Sequence, residues 1–184
     1  MTQDDPALNP PLVGAGRKPG WRFLVAHPAH LVALGFGSGL APLAPGTAGT
    51  LWAWLAYAVL APLLGDGARA AVLVTATLVG WWACTVTARH LAQADPSAVV
   101  WDEVVAFWLV LWLVTPATFA AQAVAFLLFR FFDAAKPGPV AWADQLFKQR
   151  RGEPIGWAQG FGILLDDFVA ALCALLVIAL WKFI

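Results

Sequence analysis

An all-α, polytopic membrane bundle of about five helices, with short or re-entrant cytosolic-side segments, is the fold this sequence predicts. Three observations predict it. Hydrophobic residues make up 61% of the chain and charged residues only 12%, with 11 Trp and a mean hydropathy of +0.74, whereas a soluble domain carries about 25% charged residues. The apolar residues gather into long runs, the longest approaching the roughly 20 residues that cross a hydrocarbon core. The breaks between runs hold Pro, Gly and capping residues that stop one helix and start the next.

Residues 1–20, MTQDDPALNPPLVGAGRKPG, lack the apolar stretch of a signal peptide and are rich in Pro and Gly, so they read as a disordered cytosolic tail ahead of a membrane-embedded domain over 21–184. Trp21 to Leu34 predicts a short amphipathic or interfacial piece. A glycine- and proline-rich loop follows, from Gly35 to Thr50, and the first apolar run covers Leu51 to Leu64. Gly65-Asp66-Gly67 closes that run as a turn. The second run, from about Ala70 to Ala88, ends at Arg89 and His90; at about 19 residues it is long enough to span. Asp95-Pro96-Ser97 offers a capping carboxylate followed by Pro, which starts the third helix near Pro96 and carries it to about Val114. Thr115-Pro116 repeats the pattern and opens a fourth helix that ends near Ala135, before Lys136-Pro137. The fifth runs from about Phe161 to Ile184.

Charge gives this threading an orientation. With the N-terminus in the cytosol, five spans place Arg17, Lys18, Arg22, Arg89, Arg130, Lys136, Lys148, Arg150 and Arg151 inside, and only Arg69 and Lys182 outside. That asymmetry satisfies the positive-inside rule. The same threading sends every glycine-rich loop, and every acid except Asp66, to the cytosolic side. Net charge is zero and no basic block stands alone, so no nucleic-acid surface is expected. Cys84 and Cys173 lie inside apolar runs with no metal-site spacing and read as small buried hydrophobes.

Five carboxylates carry the chemistry: Asp102, Glu103, Asp133, Asp166 and Asp167 abut or interrupt apolar runs. An ionised acid near a bilayer core costs roughly 2.5 to 3.5 kcal/mol, so acids kept there have a function. In a helix that starts at Pro96, Asp102 and Glu103 sit roughly 10 Å along the axis, in the second turn and too deep to serve as caps. Asp166 and Asp167 fall about one turn into the last helix. Clustered carboxylates repel one another unless a cation joins them, and oxygen-only ligands without a His/Cys set select magnesium or manganese over zinc. A proton pathway is the other use of such acids, as in a small ion- or proton-coupled membrane transporter.

Arg130, Asp133 and Lys136 recur at intervals of three near the end of the fourth helix and share roughly one face. They read either as an interfacial ion pair with a snorkelling lysine or as a phosphate site in which Asp133 binds metal or orients Arg130. The loop from Gly37 to Thr50 leads into a helix whose first amides suit an anion; Ser38, Gly46, Thr47 and Thr50 are its candidate substrate contacts, although a re-entrant connection has the same composition. Cys84 and Arg89 are too closely spaced for a cysteine-phosphatase loop. His27, His30 and His90 lack the arginine setting of a histidine nucleophile and read as interfacial or structural. Asp66-Gly67-Ala68-Arg69 is too short for the alcohol phosphatidyltransferase signature.

Four blocks, HPAHLVALGFGSGLAPLAPGTAGTLWA, AVVWDEVVAFW, FRFFDAAKPGPVAWAD and GFGILLDDFVAAL, resemble those of the bacterial phosphatidylglycerophosphatase A family, in the same order and at similar separations. The resemblance covers most of residues 27 to 172. It implies a magnesium-dependent phosphatase of the bacterial inner membrane, multi-pass with its site facing the cytosol, that converts phosphatidylglycerophosphate to phosphatidylglycerol. It assigns the acidic motif to Asp102 and Glu103, the FR-x-x-D-x-x-KP motif to Arg130, Asp133, Lys136 and Pro137, and the terminal acid pair to Asp166 and Asp167. On that footing Asp102, Glu103, Asp166 and Asp167 are expected to hold one or two Mg2+, Asp102, Asp133, Asp166 and Asp167 to be catalytic, and Arg130 and Lys136 to bind phosphoryl oxygens. The chain departs from the family pattern at Ala106 and Gly138, where Gly and Trp are usual, and at Gln159, where Gly is.

Overall fold

Trp21 to Leu34 forms two helices rather than one piece: α1 (Trp21–Ala26) and α2 (Pro28–Ala33). Pro28 cannot donate to a preceding carbonyl, so the helix breaks at His27, whose extended backbone lets its Nδ1 cap α2 by accepting from the Ala29 N–H at 3.1 Å. This computed structural model describes residues 18–148 and 154–182. Residues 1–17 of the tail expected over 1–20, the basic residues Arg17, Arg150 and Arg151, and the last two residues of the fifth apolar helix lie outside the described residues.

After a 3-10 turn at Gly35–Leu40, α3 (Pro45–Leu60) begins six residues before the expected Leu51. Ala44 in the left-handed region and Pro45 at the first helical position set that start. A 3-10 turn at Ala61–Leu63 prolongs it, and α4 (Asp66–Leu91) then absorbs most of the expected Gly65-Asp66-Gly67 turn.

The third long helix does not begin at Pro96. It is α5 (Trp101–Val114), because residues 95–100 are committed elsewhere: the Val99 N–H closes a turn on the Pro96 carbonyl, and the Val100 N–H donates to the Ala33 carbonyl at 2.9 Å. Thr115 likewise ends α5, its hydroxyl donating to the Leu111 carbonyl at 2.6 Å. The cap of α6 (Phe119–Ala135) is Thr118, which accepts from the Ala121 N–H. Next comes α7 (Pro139–Leu146), a short helix in the stretch between the expected fourth and fifth helices, where no element was predicted. The last, α8 (Trp157–Lys182), starts four residues before Phe161; Gln159 accepts from the Gly156 N–H at 2.8 Å, half of a capping box.

Among the described residues the architecture is therefore five long helices with short α1, α2 and α7 at their ends. The central helix is α5, buried on every face from Trp101 to Trp108 and again at Val110, Leu111 and Val114, and it packs on α3, α4 and α8. Its all-round apolarity fits that position. Outward faces of the surrounding helices carry exposed Leu55, Val74, Leu78, Leu127, Leu176 and Leu180, an apolar outer surface larger than a water-solvated protein usually shows. Both α4 and α8, at 26 residues each, are long and apolar enough to cross a membrane. Cys84 is buried, Cys173 half-buried, and neither forms a disulfide.

Candidate active site

Two ties fix the first turn of α5. The Val100 N–H is held by Ala33, and the Trp101 indole N–H donates to the Ala76 carbonyl of α4 at 2.9 Å. Asp102 and Glu103 consequently stand in the first turn, not the second, where the positive end of the helix dipole favours them. They are nonetheless buried, at 9% exposure each, and face protein. Asp166 and Asp167 lie deeper in α8 than expected: nine and ten residues past Trp157, about 13 to 15 Å along the axis, and they are 8% and 3% exposed. Asp102, Glu103 and Asp167 converge, each offering an oxygen within 4.8 Å of the others.

Arg130 of α6 closes one side of this triad. Its guanidinium pairs with Asp133 one turn on, lies 3.5 Å from the Glu103 carboxylate, and reaches the Thr50 hydroxyl at 3.5 Å. Asp133 also stands within electrostatic reach of Glu103 and Asp167. Thr50 donates to the Gly46 carbonyl at 2.8 Å, which draws the first turn of α3 into the site. Gly46 sits so close that a methyl group there would meet the Glu103 carboxylate and the Arg130 guanidinium. No side chain caps α3, so its leading amides lack a side-chain acceptor. Ser38 is placed differently: its hydroxyl donates to the Gly35 carbonyl and holds the 3-10 turn together. Thr47 is half-buried in the first turn of α3.

Asp166 turns away from Asp167. It accepts from the Lys136 ammonium at 2.6 Å, and the same ammonium donates to Asp144 of α7 at 2.5 Å. The expected four-carboxylate metal set is thus divided, three acids in the triad and Asp166 on Lys136. Burial opposes the Lys136 charge, but its bonds to Asp144 and Asp166 outweigh that and raise its pKa. Burial also works against Asp144, and its bonds to Lys136 and Lys148 prevail, so its pKa lies below the usual carboxylate range. Sequence reasoning missed Asp144. The available signal was Pro139 at a helix start, which returns a residue five positions on to Lys136 at the end of α6.

Two buried oxygens of the triad, Glu103 Oε2 and Asp167 Oδ2, have no hydrogen-bond partner. Desolvated carboxylate oxygens are costly when unpaired, and an oxygen-only set of three acids suits a hard divalent cation. The residues present therefore fit magnesium.

The histidines form a separate cluster that pins α2 to the last turn of α4. His30 Nε2 is 2.7 Å from His90 Nδ1, His30 Nδ1 is 2.8 Å from the Phe23 carbonyl oxygen, and the Phe23 ring stacks on His30 at 3.8 Å. This is the structural role expected of them. Burial, partly offset by the Phe23 bond and reinforced by His90 and His27, holds the His30 pKa down to about 4.

Fold and site together define a membrane-associated, all-helical protein whose polar chemistry is a buried acid triad with an arginine against it and a lysine held on the adjacent Asp166. The family model described as Phosphatidylglycerophosphatase A matches residues 31–182. A Haemophilus influenzae protein named phosphatidylglycerophosphatase A is 36% identical over 152 residues, 83% of this chain and 87% of that one. The Escherichia coli protein of the same name is 34% identical over 149 residues, covering 81% and 80%. A Bacteroides thetaiotaomicron protein with the provisional name phosphatidylinositol-3-phosphatase is 35% identical over 161 residues, covering 84% and 93%. No solved structure matches. The chain belongs to the phosphatidylglycerophosphatase A family, as its four sequence blocks anticipate, and is a phosphatase.

Proposed function

We propose that this chain hydrolyses the terminal phosphomonoester of phosphatidylglycerophosphate to phosphatidylglycerol, with magnesium, at the cytosolic face of the bacterial inner membrane. One observation carries the reading: Arg130 lies between a buried triad with unpartnered oxygens and the uncapped first turn of α3. A lipid phosphate seated there meets fixed positive charge from the guanidinium and helix amides, with the acids that hold a cation on its other side. The inner-membrane, multi-pass and cytosolic-facing parts of the reading rest on the inward bias of Lys and Arg.

Asp102, Glu103 and Asp167 are the residues that would hold magnesium, which supplies neutralisation of phosphoryl charge and a more acidic attacking water. Asp133 fixes the Arg130 fork so that its remaining donors face the phosphoryl oxygens. Lys136 adds a second cation, anchored on Asp166, the sequence neighbour of the triad's Asp167. Phosphoryl transfer through a loose transition state asks chiefly for such positioning and charge stabilisation. Burial of the triad keeps the field strong by excluding solvent.

The test uses purified protein and phosphatidylglycerophosphate in detergent micelles, with phosphate release followed with magnesium, with chelator, and for Asp102→Asn and Asp167→Asn. We expect release that depends on magnesium and falls by at least about 100-fold in each variant. Magnesium should also raise the melting midpoint of the wild type and not of Asp167→Asn. Full turnover in chelator or in both variants would remove the metal reading. Phosphatidylinositol 3-phosphate as the alternative substrate tests the headgroup suggested by the Bacteroides relative's name.

A further inference from the structure

Lys136 is the more exposed of the two cations read into the site. It follows α6 in the left-handed region (φ 44), its side chain is 31% exposed, and its four-carbon stem has several rotatable bonds. A lysine so placed at a membrane interface tends to extend toward water. It is held inward instead, by Asp166 on one side and Asp144 on the other.

Asp144 is itself rigidly mounted. Its helix, α7, packs against α8 through the buried Val140 and Ala143, so the carboxylate projects from a docked element and not from a loop. Both of its oxygens are engaged: one accepts from Lys136 at 2.5 Å, the other from Lys148 at 2.6 Å. Two committed oxygens leave the carboxylate little rotational freedom, which fixes where the Lys136 ammonium must lie.

We propose that Asp144 is a positioning residue for the phosphatase reaction: it anchors Lys136 against Asp166, the sequence neighbour of the triad's Asp167, so that the ammonium is held for the phosphate. This inference rests on the function proposed above. Asp144 acts through Lys136 and makes no contact with the reacting phosphate. Its removal leaves the ammonium one anchor, so the lysine spends less time where a phosphoryl oxygen can use it. The contact forms with bound substrate as well as with the transition state, so the loss falls on KM more than on kcat.

A double-mutant cycle on phosphatidylglycerophosphate hydrolysis tests this. Asp144→Asn should lower kcat/KM on the order of tenfold, the usual scale for an outer-shell partner, with most of the change in KM, and Asp144→Glu should recover part of it by restoring the charge. In a Lys136→Met background, Asp144→Asn should cost nothing further, because the partner it positions is gone. Additive losses, or an Asp144→Asn effect confined to the melting midpoint, overturn the inference. No phosphate release by the wild type overturns the functional reading first and the inference with it.

Discussion

The Glu103 carboxylate on α5 lies 3.5 Å from the Arg130 guanidinium on α6, and the first turn of α3 closes over both at Gly46. Three helices distant in sequence therefore meet within one side-chain contact. The glycine is what lets them meet, since any Cβ at that position would displace the carboxylate or the guanidinium.

That crowding separates activity from stability at residue 46. Alanine has the better helix propensity, by about 1 kcal/mol relative to glycine, so Gly46→Ala should keep or modestly raise the melting midpoint. Its methyl would push Glu103 or Arg130 off position, and a displacement of that kind costs on the order of 100-fold in turnover. The check is kcat/KM beside the thermal midpoint of the same preparation. Unchanged kcat/KM would mean that the Glu103 and Arg130 placement is not needed for the reaction.

The histidine cluster predicts an acid-side loss of stability. His30 has an ordinary pKa of 6.5 and a folded pKa of about 4, so between those values the unfolded chain binds the extra proton. Stability attributable to His30 is thus complete above pH 6.5, falls as pH drops through the window, and levels off below about pH 4. The size is about 3 kcal/mol, from 1.36 kcal/mol per pKa unit. His27 and His90 face His30 within the cluster, and protonation of His90, whose own pKa burial also holds down, adds repulsion in the same direction. Melting midpoints from pH 7.5 to 4 should show His30→Gln losing less than the wild type; parallel curves would refute the assignment.

Much of this was legible in the chain because the apolar runs are long and the charges few and therefore informative. Five long helices, and the acids and bases of the site, follow from the runs and the spacing of Asp102, Arg130 and Asp167. Helix starts were less legible, for a physical reason visible at Pro96. The Asp95-Pro96 pair is a good local start signal, yet the chain there makes a turn and ties Val100 to Ala33; a long-range hydrogen bond overrides local propensity. The division of the acid pairs was not legible at all. Asp166 and Asp167 are neighbours in sequence, about 100° apart on their helix, and only the arrival of Lys136 from α6 and Asp102 from α5 decides which one each faces. Asp144 was hidden for the same reason, since α7 is short and its docking on α8 is a tertiary event.

The packing of α8 on α4 can be tested by exchanging a small residue across the interface. Gly160 lies against Thr85, and a Cβ at 160 would meet both the hydroxyl and the backbone of that threonine, with Thr85 Cα only 3.1 Å away. Backbone cannot yield as a flexible side chain does, so Gly160→Ala should force the helices apart at a cost of about 1 to 3 kcal/mol. Asp166 and Asp167 lie six and seven residues further along the same helix, roughly 10 Å away, so the displacement should also lower turnover. Adding Thr85→Gly moves the gap to the other helix and should recover most of the melting midpoint and activity, less about 1 kcal/mol for a glycine inside α4. If the double variant is no better than Gly160→Ala alone, the contact between these two positions does not set the spacing of α4 and α8.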